Sequence, residues 1–263
     1  GYLLSSLGWP AIFLVLGGSG ALMLVLCWRL MPETAAPRAR ALAQGADEEA
    51  TAGAGLREVL SHRTSLRHAL TTCFTYAGMF AYVAASPFIL MDVFGVAREN
   101  FGYFFALTAA ALLVAATVNR SLLKRRTPSL LILRRGVFII FSAGLLLAAA
   151  VLFGVGGLAG VLLPMMAYMF GQGLVMPNAT AAAMAPHGQS AGVISSLMGG
   201  LQTGAGAFAG YVVGAFYDHT PLSLGVTVAT FAALALWSSG VLGARAPRRG
   251  ESIHASVHAT CGA

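Results

Sequence analysis

Charge is what this sequence has least of: 10% of its residues are Asp, Glu, Lys or Arg, against roughly 25% in soluble domains. With 57% hydrophobic residues, that scarcity excludes a water-soluble globular fold. Cysteine is also sparse. Cys27, Cys73 and Cys261 form no spaced framework, and two of them lie in apolar runs, so neither a disulfide scaffold nor a metal site is expected. Lys124, in a loop, is the only lysine, which leaves no span with a Schiff-base lysine for retinal. Paired carboxylates, a Ser-His arrangement and metal ligands are all missing from the middle of the apolar runs, which excludes an intramembrane enzyme. His62, His68, His187, His219, His254 and His258 fall in loops, at span ends or in the tail, without helical zinc spacing, and read as solvated or interfacial. No cofactor is expected. Basic residues exceed acidic ones, 16 to 9, but they sit between apolar runs, so they read as topology signals and not as a nucleic-acid surface.

What is present is hydrophobic length. About 20 apolar residues cross a bilayer, and seven stretches reach that length: 9–30, 68–91, 101–118, 136–154, 158–177, 191–217 and 222–243. The fourth and fifth are separated only around Gly156-Gly157, which predicts a tight turn. Residues 31–66, with Pro32, Pro37, Gly45, Gly53, Gly55 and the acidic run Asp47-Glu48-Glu49, read as an exposed linker. The expected organisation is therefore a single helix (1–30), a linker (31–66), a six-helix bundle (67–243) and a basic tail (244–263). This one-plus-six pattern, and a start at Gly1 with no basic region before the first apolar run, suggest the end of one bundle followed by a complete second one. Arg and Lys cluster in the linker, between the third and fourth spans and in the tail, so these face the cytoplasm and the first end lies outside. Residues 68–154 and 158–243 hold three spans each, as two inverted repeats would.

Few polar side chains are candidates for function. Tyr168, Met169 and Gln172 on the fifth span share its side with Met165 and Met176, and Gln202 lies in the sixth; such a face suits bulky apolar ligands. In the second span Tyr76, Phe80, Ser86 and Phe88 surround a kink expected at Pro87, where neighbours must satisfy the freed carbonyl. Small residues at four-residue spacing, Gly192, Ser196, Gly200 and Gly204, then Gly206, Gly210 and Gly214, predict close helix packing on the sixth span. Asp92 and Arg29 lie at span ends, where interfacial anchoring is expected. Tyr76, Ser86, Gln172 and Gln202 are the predicted polar lining of a cavity, with Met169 and Phe88 as apolar wall.

Several segments resemble a known family. FAYVAASPFILMDVFGVARENFGYFFAL at 80–107, GWPAIF at 8–13, MPET at 31–34, MPNATAAAM at 176–184 and AGVISSLMGGLQTGAGA at 191–207 are similar to the Bcr/CflA drug-efflux branch of the major facilitator superfamily. The resemblance implies an all-α membrane protein with a major-facilitator-type bundle, its seven spans corresponding to the sixth through twelfth helices of a twelve-helix transporter. It implies export of drugs or other small amphipathic substrates across a bacterial inner membrane, driven by a proton gradient, with the lipid bilayer and the missing first-half helices as partners. Pro10 stands where the family has Arg, which removes a local charge contact. The coupling carboxylate is expected in the absent half. Two other readings fit the seven spans: a ligand receptor, and a truncated product without autonomous transport.

Overall fold

A computed structural model describes residues 8–30, 61–186 and 191–240. Among them the chain forms seven α-helices: α1 (Trp9–Leu30), α2 (Arg63–Pro87), α3 (Arg98–Lys124), α4 (Ser129–Leu152), α5 (Gly157–Met184), α6 (Ala191–Ala215) and α7 (Leu222–Ser238). A π-helical turn, Phe88–Val93, continues α2. No strand occurs among the described residues. Helices are what apolar runs of this length must form in lipid, where each backbone N–H and C=O needs a partner within its own segment. Most of the expected linker, the whole expected tail, and His187, His254, His258 and Cys261 lie outside the described residues.

The apolar runs are bounded differently from the expectation in several places, and α5 for one continues to Met184, past the expected end at 177. Helix α2 begins at Arg63, inside the segment read as linker. Helices α3 and α4 extend beyond 101–118 and 136–154, because Arg120 and Lys124 ride on the last turns of α3 and Arg134 and Arg135 on the first turns of α4. Long cationic side chains reach the interface from within a helix and do not end it. Finally, five helices, α1 to α5, are long and apolar enough to cross a bilayer, where seven were expected. Helix α6 has the length, 25 residues, but its glycines with Gln202 and Thr203 dilute its apolarity. Helix α7 has 17 residues, about 26 Å at 1.5 Å per residue, short of a hydrocarbon core of about 30 Å.

The connections are tight. Gly154, Gly156 and Gly157 all take positive φ between α4 and α5, which forms the turn expected there, and Arg126 takes φ 57° between α3 and α4.

Helix α2 sits at the centre, packed on α5, α6 and α7, while α5 packs on α2, α3 and α4, and α4 also packs on α7. Exchanging the triplet α2–α3–α4 with α5–α6–α7 maps this pattern onto itself: the first helix of each triplet packs on the second and third of the other. That is the packing two inverted repeats produce. The shared core includes Ala81, Tyr82, Ile140, Met165, Tyr168 and Val228. A close backbone approach joins α4 to α5, where a Cβ on Gly171 would lie 3.0 Å from the Gly136 carbonyl oxygen. Helix α1 carries no buried residue, so the six helices α2–α7 form the core without it.

Candidate functional site

Residues four apart share a side of a helix. On α2 this row is Tyr76, Phe80, Ala84 and Phe88; on α6 it is Gln202, Gly206, Gly210 and Gly214. The two rows meet. A Cβ on Gly206 would lie 3.0 Å from Phe80 Cγ and 3.2 Å from Tyr76 Cε1, and one on Gly210 3.3 Å from Ala84 Cβ. Glycine thus leaves α6 without side chains where the aromatic side of α2 lies. Tyr76 and Phe80 stack with ring centroids 5.3 Å apart and planes 26° apart. The other row of α6 differs, because Gly200 and Gly204 face open space. Gly206 and Gly210 of the second small-residue row pack within the bundle, and Gly200 and Gly204 of the first do not.

A side chain that faces a cavity between two bundles must reach the surface of the one bundle seen here. Tyr76, Phe80 and Gln202 are half-buried and Phe88 is 52% exposed, so these four reach it. Tyr168, Met169, Gln172 and Ser86 lie inside the bundle. The Tyr168 hydroxyl donates to the Thr75 carbonyl at 3.0 Å, and Gly78 makes room for it, since a Cβ there would overlap the phenol oxygen. Gln172 donates from Nε2 to Met79 Sδ at 3.1 Å, while its Oε1 and the Thr75 hydroxyl have no partner. These residues form a polar seam between α2 and α5, and Met165 packs with them in the core.

Ser86 serves the backbone. Pro87 has no N–H to offer the carbonyl four residues earlier, and the Ser86 hydroxyl donates to that carbonyl, Val83 O, at 3.1 Å. The kink expected at Pro87 takes the form of the π-helical turn that follows it. This turn carries Asp92 exposed at the outer helix end.

Two polar contacts had no place in the sequence reading. Asn178 donates from Nδ2 to Asn119 Oδ1 at 2.8 Å and to the Leu174 carbonyl at 2.7 Å, joining α5 to α3. The Thr71 and Ser238 hydroxyls meet at 3.1 Å and join α2 to α7. The only local signal was Asn178 directly after a mid-helix proline. His68, read as solvated or interfacial, is buried in the first turns of α2, and its Nδ1 has no partner. Its position near a helix start hid this, because that turn is covered in the fold, where the adjoining Ala69 packs with Ala183 of α5 and Ile194 and Met198 of α6.

Charge divides cleanly between the two ends. Among the described residues of α2–α7 all carboxylates, Asp92, Glu99 and Asp218, lie with Arg98 at the end expected to face outward; the end expected to face the cytoplasm holds Arg63, Arg67, Arg120, Lys124, Arg125, Arg126, Arg134 and Arg135. No group of three possible metal ligands occurs among the described residues.

The family model for the Major Facilitator Superfamily matches residues 1–211. The chain is similar to an uncharacterized MFS-type transporter of Bacillus subtilis, 28% identical over 210 residues, covering 78% of this chain and 50% of that protein. It is similar to a bicyclomycin resistance protein homolog of Haemophilus influenzae, 26% identical over 217 residues, 81% of this chain and 52% of the other. A chloramphenicol resistance protein of Pseudomonas aeruginosa is 30% identical over 186 residues, 69% of this chain and 40% of the other. The chain spans about half the length of the curated relatives it matches.

Proposed function

The chain belongs to the Major Facilitator Superfamily, a multi-pass membrane transporter and not an enzyme, and on that premise we propose that it acts as the C-terminal part of an exporter of drugs or other small amphipathic molecules. Two of its relatives are named for resistance to bicyclomycin and chloramphenicol, which supports this substrate class. The observation that carries the reading is the aromatic row of α2 laid on the glycine row of α6. It supplies apolar, sequence-tolerant contact surface from Tyr76 and Phe80, with the Gln202 amide one turn away on α6 as a sparse hydrogen-bonding group.

In this reading α2–α7 rocks as one body against further helices that cover α1 and the open side of α6. Glycine at 206 and 210 lets α6 lie close on the aromatic side of α2 and so keeps the two helices together within that body. Proton antiport supplies the energy, and the coupling carboxylate belongs to the completing helices, since all described carboxylates of this chain sit at outer helix ends.

The test is accumulation of radiolabelled chloramphenicol in efflux-deficient bacteria that produce the protein from its native gene. Accumulation should fall relative to cells without the gene, and a protonophore should abolish the difference. Phe80→Ala or Gln202→Ala should change the export rate several-fold. Equal accumulation with and without the protein, across chloramphenicol, bicyclomycin and lipophilic dyes, refutes the proposal.

A further inference from the structure

Helix α3 packs on α5 and meets α4 and the π-helical turn only marginally, so most of its length is exposed. At its Lys- and Arg-rich end, Thr117, Arg120, Ser121 and Lys124 line a depression of about 300 Å³. All four are exposed. Spacings of three and four residues put them on one side of the helix.

The positive charge of this depression is not neutralised within the bundle. The carboxylates among the described residues of α2–α7, Asp92, Glu99 and Asp218, lie at the opposite end. Glu99, on the same helix as Arg120, is about 32 Å away along the axis at 1.5 Å per residue. Ser121 adds a hydroxyl that can donate beside the two cations. Thr117 differs, because its hydroxyl already donates to the Val114 carbonyl at 2.7 Å. One turn further toward the helix middle, Leu113 and Val114 stand 70% and 53% exposed. Over about 16 Å of axis, this side of α3 therefore passes from cations through a hydroxyl to bare hydrocarbon.

A phospholipid runs through the same chemistry, from phosphate to acyl chain. A guanidinium fork takes two phosphate oxygens together and an ammonium adds a point charge. A free phosphate would use the cations but leave Leu113 and Val114 uncovered. A zwitterionic headgroup would bring its own ammonium beside two cations, with no carboxylate of the bundle there to receive it. We propose that this end of α3 binds an anionic glycerophospholipid of the phosphatidylglycerol class. Arg120 and Lys124 hold the phosphate, Ser121 donates to it, and an acyl chain lies along Leu113 and Val114. The inference does not depend on which molecules are exported.

Native mass spectrometry of the purified full chain, titrated in mild detergent with phosphatidylglycerol, phosphatidylethanolamine or phosphatidylcholine, tests it by counting bound lipid. Phosphatidylglycerol should fill one site per chain at least about fivefold more tightly than either zwitterionic lipid. Arg120→Gln combined with Lys124→Gln should weaken that site about 20-fold, and Ser121→Ala about threefold. Arg134→Gln combined with Arg135→Gln removes the same charge from α4 and should weaken it less than about twofold, since screening limits the reach of surface charge. Excess glycerol 3-phosphate, which carries the phosphate without acyl chains, should leave the lipid in place. Arg120, Ser121 and Lys124 are exposed, and unchanged helical circular dichroism identifies folded variants. Equal binding of the three lipids, equal losses from the α3 and α4 pairs, or displacement by glycerol 3-phosphate would overturn the assignment.

Discussion

Pro87 frees the Val83 carbonyl and Ser86 takes it, a local arrangement with a measurable consequence. Ser86→Ala leaves that carbonyl unpartnered inside the bundle and should cost about 1 kcal/mol, within the 0.5–1.5 range of a typical intramolecular hydrogen bond. Ser86→Thr keeps the hydroxyl and should retain most of the stability. Unfolding of the purified protein in mixed micelles by increasing dodecyl sulfate reads the difference; equal midpoints for wild type and Ser86→Ala would refute the role. At Gly78 the added methyl of Ala would displace the Tyr168 hydroxyl from the Thr75 carbonyl, with an expected loss of about 1–3 kcal/mol for overpacking. The strain at Pro87 was legible in the sequence because proline's missing N–H acts within one turn. The inward direction of Tyr168, Met169 and Gln172 was not. Helical spacing places residues on one side of a helix, but what covers that side is decided by α2, whose Thr75 and Met79 lie 93 residues from their partners Tyr168 and Gln172.

At the scale of elements, the glycine rows of α6 looked alike in sequence and differ in structure. Gly206 and Gly210 lie against α2, whereas Gly200 and Gly204 meet nothing. Gly206→Leu should therefore separate α6 from α2 and destabilise the bundle by about 1–3 kcal/mol. Gly204→Ala should be neutral or stabilising, up to about 1 kcal/mol, since it removes a glycine from a helix interior without a clash. The same micelle unfolding measurement separates the two, and a comparable loss for both would show that the rows are equivalent. Four-residue periodicity reveals that a helix has a smooth side, but which smooth side meets a neighbour depends on the partner's own row. Tyr76, Phe80 and Phe88 were legible as candidates and so was the glycine row. Their apposition required the inverted exchange of triplets that brings α2 beside α6. Helix ends were misplaced at α3 and α4 for a related reason: charge marks the interface, and a helix continues through it until its backbone stops.

For the whole molecule, the division of charge predicts orientation. Eight Lys and Arg residues lie at one end of α2–α7, and three carboxylates with Arg98 at the other. Placing one cationic charge on the wrong side of a membrane at 100 mV, negative inside, costs about 2.3 kcal/mol, so a reversed bundle is strongly disfavoured. By the positive-inside rule the Lys- and Arg-rich end is predicted to face the cytoplasm. In a variant with Cys27, Cys73 and Cys261 replaced by Ser, a cysteine introduced by Ala97→Cys should react with a membrane-impermeant maleimide added to intact spheroplasts. One introduced by Thr127→Cys should react only after the membrane is opened. Labelling of Thr127→Cys from outside would invert the topology and place Arg120 and Lys124 on the outer side. Changing Arg120, Lys124, Arg125 and Arg126 together to Gln should weaken the signal at the turn that joins α3 to α4 and give mixed labelling at position 127. The surrounding cations Arg63, Arg67, Arg134 and Arg135 remain, so the inward orientation should still predominate. That residual bias follows from charge spread over both flanking helices, where it acts on the bundle as a unit and not through a single loop.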